Sequence, residues 1–424
     1  MSKIKRVAML FAGGPAPGAN AVIASAAMAF INDDIEVIGI KHGYSSLIDF
    51  DSAKPLVEGK DYIRITRADL PHRRSSQGIM IGTARANPGK SVSSPAHIKD
   101  PERSAPLKRS YEALCSLNVD ALISIGGDDT LKTANKMKLY QDSLPAGSRK
   151  FPVVHLPKTI DNDYMGIDFT FGYFTAAEFL ANEMRNLNYD AAAARAYFVC
   201  EAMGRSAGWL AYGAAIAGEA CMVLSVEDIE GALAGEESVT DASGNSKTRK
   251  IMNFDKVIER IVRMMIRREE HGLSYGVIVI AEGLAEYLPQ KYLEGIARDD
   301  HGHIAISSID IGKMLAKLVT KAYEAKTGKS RKVNGLQLGY ESRCAAPHAF
   351  DIMLGSQIGV GAYRALVEKG IGGVMISVGG QMQLNFVPFE DLVDPQTLVT
   401  KVRYIIPGSD FHRLAKFIET TDQE

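Results

Sequence analysis

The sequence predicts an α/β protein in which two doubly wound lobes each contain a mainly parallel β-sheet. Short runs of apolar residues recur along the 424 residues, as they do in strands that are buried on both faces. Segments with the 3.6-residue apolar spacing of helices alternate with these runs. Several runs end in Gly-Gly or in acidic residues, and sheets of this class bind ligands at the carboxyl ends of their strands. The length accommodates two lobes of ordinary size.

The predicted elements alternate along the whole chain. In the first part, strands are predicted at 7–11, 35–40, 121–125 and 151–156, and helices at 21–30 and 106–117. Residues 58–105 are polar, rich in Gly, Pro and Ser, and carry several arginines, which predicts a loop-rich surface region. In the second part, strands are predicted at 196–200, 275–281, 333–338 and 373–378, and helices at 169–187, 254–268, 310–326 and 349–368. The polar stretch 238–250 predicts an exposed loop.

Composition excludes several classes of function. The formal net charge is −1, so no basic surplus points to a nucleic acid or an anionic membrane as a partner. The four cysteines are scattered without a CxxC pair, which disfavours zinc ribbons and redox motifs and suits reduced thiols in a cytosol. The first residues lack the apolar core of a signal peptide. We therefore predict a cytoplasmic protein without a membrane partner.

One stretch, 206–226, is apolar enough to raise the question of a membrane span. It is interrupted by Gly208, Gly213, Gly218 and Glu219. A buried helix followed by a strand is therefore the better interpretation.

Two short segments carry most of the chemistry. The first is Gly-Gly-Asp-Asp-Thr at 126–130, and the second is Pro-Lys-Thr-Ile-Asp-Asn-Asp at 157–163. Each follows a predicted buried strand, so both present carboxylates at the ligand-binding edge of a sheet. A third segment, Gly-Gly-Pro-Ala-Pro-Gly-Ala-Asn at 13–20, lies between a strand and a helix, an arrangement that suits an anion.

These residue types suit phosphoryl transfer to a hydroxyl group. Asp128 or Asp129 can hold Mg²⁺, a hard cation that prefers carboxylate oxygen. Asp161 can accept the hydroxyl proton, and Lys158 can stabilise phosphate oxygens together with backbone N–H groups of the Gly13-Gly14 turn. The alternative is that these aspartates only form turns and helix caps. For two such segments, each following a buried strand, the catalytic interpretation is favoured.

The motifs resemble those of the 6-phosphofructokinase family. The three segments above, Met-Gly-Arg at 203–205 and Tyr-Glu-Ser-Arg at 340–343 occur in the order seen in that family, and the resemblance covers about residues 7–380. Thr-Ile-Asp-Asn-Asp followed by Met-Gly-Arg is specific to it. The second Asp of Gly-Gly-Asp-Asp and the Lys before Thr-Ile-Asp-Asn-Asp mark its pyrophosphate-dependent branch, since ATP-using relatives carry Gly at both positions.

The resemblance implies a role for each matching residue. Asp161 would be the general base on the 1-hydroxyl of fructose 6-phosphate, Lys158 and Asp129 would complete the catalytic set, and Asp128 would bind the Mg²⁺ cofactor. Pyrophosphate would be held by Gly13, Gly14, Arg85, Gly127 and Asp129. Fructose 6-phosphate would be held by Thr159, Asp161, Met203, Gly204, Arg205, Glu282, Tyr340 and Arg343.

The resemblance also implies an architecture. Two Rossmann-like lobes would exchange chain segments, with the active site in the cleft between them. The diphosphate lobe would comprise 1–172 with about 350–400, and the sugar-phosphate lobe 173–349 with about 401–424. A homodimer or homotetramer is expected.

The choice of donor has a physical argument of its own. Asp129 would place a carboxylate where the α-phosphate of ATP lies, and two anions held close together repel each other. Lys158 would place a cation where charge develops on a pyrophosphate donor. The two residues together favour pyrophosphate.

Some positions depart from the family pattern. Pro15 stands where ATP-using relatives have Asp, and Ala196 and Ile352 stand where the family has arginines, which leaves the usual arginine set incomplete. His348 is a candidate substitute, although a solvated loop histidine is the simpler interpretation. The alternatives left open are an ATP-dependent member of the family, a NAD- or lipid-kinase-like enzyme, and a non-catalytic subunit.

Overall fold

The computed structural model describes residues 4–240, 246–293 and 309–420. Its strands are Arg6–Ala12 (β1), Glu36–Ile40 (β2), Tyr62–Ile65 (β3), Ala121–Gly126 (β4), Val153–Pro157 (β5), Tyr197–Ala202 (β6), Met222–Leu224 (β7), Ala234–Thr240 (β8), Ser246–Met252 (β9), Gly276–Ala281 (β10), Val333–Leu338 (β11), Val374–Gly379 (β12) and Gln383–Pro388 (β13). Its helices are Ala19–Asn32 (α1), Ser45–Ile48 (α2), Pro101–Ser116 (α3), Asp128–Ser143 (α4), Tyr173–Ala194 (α5), Trp209–Ala217 (α6), Phe254–Glu270 (α7), Ile311–Thr327 (α8), Ala349–Tyr363 (α9), Phe389–Leu392 (α10) and Asp410–Ile418 (α11). The predicted α/β class is confirmed.

The chain divides into two compact units, each built from two separate segments. Unit 1 comprises Met1–Thr175 and Ser342–Val402, and unit 2 comprises Ala176–Glu341 and Arg403–Glu424. Arg343 therefore belongs to unit 1 and not to the predicted sugar-phosphate lobe. The reason is local: the Gln77 side chain donates to the Cys344 carbonyl at 2.9 Å, and the His348 N–H donates to Thr175 Oγ1 at 2.8 Å.

Unit 1 is organised around a seven-stranded sheet in the order β13-β12-β5-β4-β1-β2-β3. The five inner strands are parallel, and the edge strands β3 and β13 are antiparallel to their neighbours. The register pairs Ala12 with Gly126, and Gly126 with Pro157. The backbone that follows β1, β4 and β5 therefore leaves the sheet at one place.

Unit 2 contains a four-stranded, fully parallel sheet in the order β11-β6-β10-β7. Ala202 at the end of β6 pairs with both Ala281 and Leu338. Apolar residues of α7 and α8 that recur at helical spacing are buried against this sheet.

The helix predicted at 106–117 begins earlier than its apolar pattern suggests. Helix α3 begins at Pro101 because Asp100 caps it, accepting hydrogen bonds from the N–H groups of Glu102 and Arg103 at 3.0 and 3.3 Å. The polar region 58–105 also contains the short strand β3.

The loop predicted at 238–250 is wrong where the structure describes it. Strands β8 and β9 form an antiparallel hairpin, because their backbones pair along seven positions although most side chains are polar and exposed. Residues 241–245 lie outside the described residues. The interpretation of 206–226 is confirmed by α6 and β7, and no described helix combines the length and apolarity that crossing a bilayer requires.

Candidate active site

The carboxyl ends of β1, β4 and β5 bring the segments 13–20, 126–130 and 157–163 together in unit 1. Gly13 follows β1 with a φ of +88°, a conformation that favours glycine. A Cβ atom added to either Gly13 or Gly127 would lie 3.6 Å from Lys158 Nζ. One at Gly14 would lie 3.7 Å from Arg343 Nη1. Two cationic side chains therefore lie beside backbone that carries no side chain.

The Gly13 turn is tied to the segment that carries Arg85. The Gly13 N–H donates to the Ala84 carbonyl at 2.9 Å, and Thr83 Oγ1 donates to the Gly13 carbonyl at 2.7 Å. The Gly13 N–H is thus already used within the protein. Any contribution of Gly13 to anion binding must come from the space it leaves, because its N–H does not point outward as a donor.

Lys158 is a buried cation at the end of β5. Its side chain is 7% exposed, and its backbone N–H donates to the Gly126 carbonyl at 2.9 Å. Burial lowers the pKa of Lys158 to about 8, with Arg343 and Arg85 acting in the same direction and Asp161 and Asp163 opposing them. A buried cation beside two arginines is an arrangement that an anion would stabilise.

The loop after β5 fixes the backbone around Asp161. The Asp161 N–H donates to Thr159 Oγ1 at 3.0 Å, and Thr170 Oγ1 donates to the Thr159 carbonyl at 2.8 Å. Asn162 adopts a left-handed conformation, with a φ of +56°, and its Oδ1 accepts from the Thr170 N–H at 2.9 Å. Asn162 therefore shapes the loop, and Asp161 is held next to Lys158.

Two buried residues that sequence reasoning missed connect the acidic segments. Tyr164 donates its hydroxyl proton to the Gly126 carbonyl at 3.1 Å, so the His155 Nε2–H must donate to the Tyr164 oxygen at 3.1 Å. Both side chains are buried, and burial lowers the pKa of His155 to about 3. His155 is therefore neutral. A histidine within an apolar strand was the only sequence signal for this pair.

Asp128 and Asp129 form the first turn of α4, and both are paired with Lys132. Lys132 Nζ lies 2.8 Å from Asp128 Oδ2 and 2.9 Å from Asp129 Oδ1. Removal from water raises the pKa of Asp128, and the charge of Lys132 opposes that rise. Sequence reasoning missed Lys132, although its spacing of four and three residues from the two aspartates on a helix is a recognisable signal.

The same two carboxylates are the donor set for the predicted Mg²⁺. No group of three His, Cys, Asp or Glu side chains suited to a metal occurs within the parts of the chain that the structure describes. One or two carboxylates suit Mg²⁺ that arrives with substrate phosphates, since proteins commonly hold it through few side chains and complete its shell with phosphate and water. Asp128 and Asp129 fit that pattern.

Unit 2 brings the other predicted sugar-phosphate residues to the carboxyl edge of its sheet. Gly204 has a φ of +124°, and its N–H donates to Glu282 Oε1 at 3.2 Å. A Cβ atom at Gly339 would lie 2.0 Å from the Met203 side chain, and one at Gly283 would lie 2.1 Å from the Arg205 carbonyl. Glycine is required at both positions. Met203, Gly204, Arg205, Glu282 and the 67%-exposed Tyr340 therefore form one group, whereas Thr159, Asp161 and Arg343 belong to unit 1.

The departures from the family pattern have structural outcomes. His348 caps α9, because its Nδ1 accepts from the Phe350 N–H at 3.0 Å. Ala196 and Ile352 carry no charge and cannot replace the family arginines. The carbonyl of Arg195, next to Ala196, accepts a hydrogen bond from Arg331 Nη1 at 3.2 Å. His348 thus has a capping role, and its service as a replacement for a family arginine stays a prediction.

Comparison with known proteins places the chain among phosphofructokinases. The family model described as phosphofructokinase matches residues 6–366. A Naegleria fowleri protein named pyrophosphate–fructose 6-phosphate 1-phosphotransferase is 33% identical, over 97% of this chain and 87% of its own. A Chloroflexus aurantiacus protein named ATP-dependent 6-phosphofructokinase is 29% identical, over 90% of this chain and 89% of its own.

A solved structure supports the fold. The pyrophosphate-dependent phosphofructokinase from Nitrosospira multiformis aligns with a TM-score of 0.65 over 98% of this chain and 92% of its own, at 17% identity. At that identity the likeness shows the fold alone.

Proposed function

The chain belongs to the phosphofructokinase family, and from that premise we propose that it transfers a phosphoryl group from pyrophosphate to the 1-hydroxyl of fructose 6-phosphate. The products are fructose 1,6-bisphosphate and phosphate. The observation that carries this proposal is Lys158, a buried cation that lies beside Gly13 and Gly127 and directly precedes the Asp161 loop. The resemblance implies that ATP-using members of the family carry glycine at that position.

The proposed mechanism divides the work among the residues of unit 1. Lys158, Arg85 and Arg343 stabilise the negative charge on the diphosphate, an electrostatic effect that is strong in a poorly hydrated site. Asp161 accepts the proton of the 1-hydroxyl as its oxygen bonds to phosphorus. The bridging P–O bond then breaks, and its electrons leave with the phosphate.

The metal takes part through the first turn of α4. Asp128, with Asp129 beside it, would hold Mg²⁺, which neutralises charge on the diphosphate. The resemblance assigns fructose 6-phosphate binding to Gly204 and Glu282 in unit 2 and to Thr159 and Arg343 in unit 1. The roles of Met203, Arg205 and Tyr340 in that binding are part of the proposal.

ATP is the second candidate donor, and one observation favours it. Asp129 is 78% exposed at its side chain and is paired with Lys132, so its repulsion of an ATP α-phosphate is partly compensated. The donor choice therefore depends more on Lys158 than on Asp129. The Chloroflexus aurantiacus relative, which is 29% identical and named ATP-dependent, also supports ATP as a candidate donor.

The test is an assay of the purified protein with each donor. Fructose 6-phosphate and Mg²⁺ are supplied with either pyrophosphate or ATP, and fructose 1,6-bisphosphate is measured. We expect turnover with pyrophosphate and at most weak turnover with ATP. Robust activity with ATP alone would refute the donor assignment, and no turnover with either donor would favour a non-catalytic subunit.

Two further properties follow from the same proposal. The reaction with pyrophosphate is expected to be reversible, and supplying fructose 1,6-bisphosphate with phosphate measures the reverse rate directly. A homodimer or homotetramer stays a prediction, which light scattering on the purified chain measures.

A further inference from the structure

Lys132 is the cation that accompanies the two carboxylates in this structure. Its ammonium lies 2.8 Å from Asp128 and 2.9 Å from Asp129, so it contacts one oxygen of each. The Lys132 side chain is only 21% exposed, whereas those of Asp128 and Asp129 are 52% and 78% exposed. One positive charge therefore lies between two negative charges.

An ordinary pair on the same helix shows what is particular to Lys132. Lys138 lies 3.0 Å from Asp142 with the same spacing of four residues, but it contacts a single carboxylate, and the two side chains are 40% and 52% exposed. Exposed pairs of this kind hold their partners weakly. Lys132 instead contacts two carboxylates in the first turn of α4.

No neighbouring lysine of α4 can take over this position. Lys136, one turn further along α4, is 7% exposed, and its ammonium donates to the Gly89 carbonyl at 2.9 Å. It is thus held against the loop that follows Arg85. Lys132 is the lysine of this helix that the described contacts place on the carboxylates.

A divalent cation and an ammonium group compete when they use the same carboxylate oxygens. We propose that Lys132 is a counter-ion that occupies Asp128 and Asp129 when no metal is present and that a divalent cation must displace. The naming of these carboxylates as the metal ligands rests on the proposed function. In consequence, the metal alone binds weakly. A metal that arrives with an anionic substrate binds more tightly, because the Lys132 ammonium can then pair with the anion instead of the carboxylates.

The experiment measures metal binding without turnover. Mn²⁺ is titrated into the protein in the absence of pyrophosphate, and unbound Mn²⁺ is followed by electron paramagnetic resonance. Lys132→Gln is expected to bind Mn²⁺ roughly three- to tenfold more tightly than the unmodified chain, in keeping with the modest strength of half-exposed ion pairs. Lys138→Gln is the matched control and should leave the affinity unchanged.

Two more variants locate the effect. Lys132→Arg keeps the cation and should restore weak binding, and Asp128→Asn combined with Lys132→Gln should remove the gain. Equal Mn²⁺ affinity in the unmodified chain and Lys132→Gln would overturn the proposal, as would a gain that survives loss of the Asp128 carboxylate. Thermal unfolding of each variant shows that the fold is kept. The donor assay stands apart from this titration, so failure of the proposed function would show in turnover and failure of the counter-ion proposal in metal affinity.

Discussion

The proposed binding role of Lys158 comes with a cost in stability. A lysine whose pKa is lowered to about 8 by burial is less stable as a cation in the fold than in the unfolded chain. The unfolded chain therefore holds the Lys158 proton more tightly between pH 8 and about 10.4, and the Lys158 contribution makes the fold more stable as pH rises through that window. The protein keeps a charge at this position for a reason other than stability.

Lys158→Met is expected to separate the two effects. The variant removes the buried ammonium and fills the same space, so the midpoint of thermal unfolding at pH 7 should be unchanged or higher. The kcat/KM for pyrophosphate should fall by about 10²–10³-fold, the size expected when a donor to developing charge is lost. A matched loss of stability and activity would show that Lys158 acts through the fold.

Asp129→Gly tests how much its carboxylate excludes ATP. With the carboxylate removed, Lys132 keeps only Asp128 as a partner, and repulsion of an α-phosphate falls. ATP should then bind to a measurable degree, as measured by competition against pyrophosphate turnover. If ATP binding stays undetectable, exclusion comes from other residues, and Lys158 is the next to change.

The Pro157–Thr170 loop and the end of β4 are joined through one carbonyl. The Gly126 oxygen accepts from the Lys158 N–H at 2.9 Å and from the Tyr164 hydroxyl at 3.1 Å. The second bond depends on His155, which lies opposite Ser124 in the register of β4 and β5. These bonds, together with the pairing of β4 and β5, connect the segment with Asp128 to the segment with Asp161.

Tyr164→Phe removes one oxygen from this connection and leaves the ring. The His155 Nε2–H would lose its acceptor inside the protein, which costs about 1–3 kcal/mol in the free energy of unfolding. We expect that loss in urea denaturation, with a decrease in kcat larger than any change in KM. Tyr189→Phe, at a 79%-exposed position, is the control that should change neither quantity.

A double variant, His155→Leu with Tyr164→Phe, should lose less free energy of unfolding than the sum of the losses in the two single variants, because it leaves no unpaired donor.

Sequence patterns predicted the inner strands because those strands are buried on both faces and read as continuous apolar runs. They missed β13, an edge strand none of whose residues is fully buried, and they missed the hairpin of β8 and β9, whose pairing is made by the backbone. They placed the motifs of unit 1 at strand ends. They could not supply the contact of Tyr164 with Gly126, because that contact depends on how a loop folds back over a strand.

At the scale of the whole molecule, the C-terminal segment is bound into unit 2 by a buried acid. Asp228, with its side chain 3% exposed, accepts from the Tyr212 hydroxyl at 2.8 Å and lies 3.0 Å from Lys416 of α11. Burial acts to raise the pKa of Asp228, but hydrogen bonds from His412, Tyr212 and Ser225 and the charge of Lys416 outweigh it and hold the pKa well below its usual range. The carboxylate is thus stabilised as an anion.

Asp228→Asn is expected to loosen that segment. Lys416 would lose its 3.0 Å ion pair with Asp228 and keep the 3.6 Å contact with Glu419, so the free energy of unfolding of unit 2 should fall by about 1–3 kcal/mol at pH 7. Because the folded pKa lies below the unfolded value near 3.9, the stabilisation is complete above that pH and is lost as pH falls below it. Acid titration of unfolding, followed by circular dichroism, should therefore show a smaller loss below pH 4 in the variant than in the unmodified chain. Equal losses would contradict the assignment to Asp228.

The order of strands in unit 1 also affects how the chain folds while it is being synthesised. Strand β5 pairs with β12, yet all the residues of unit 2 up to Glu341 are synthesised between the two. During that interval β5 is an apolar edge without its neighbour, and such edges pair with other chains. Nascent chains that end within unit 2 therefore expose this apolar edge, which favours aggregation, and β12 covers it after it has been synthesised.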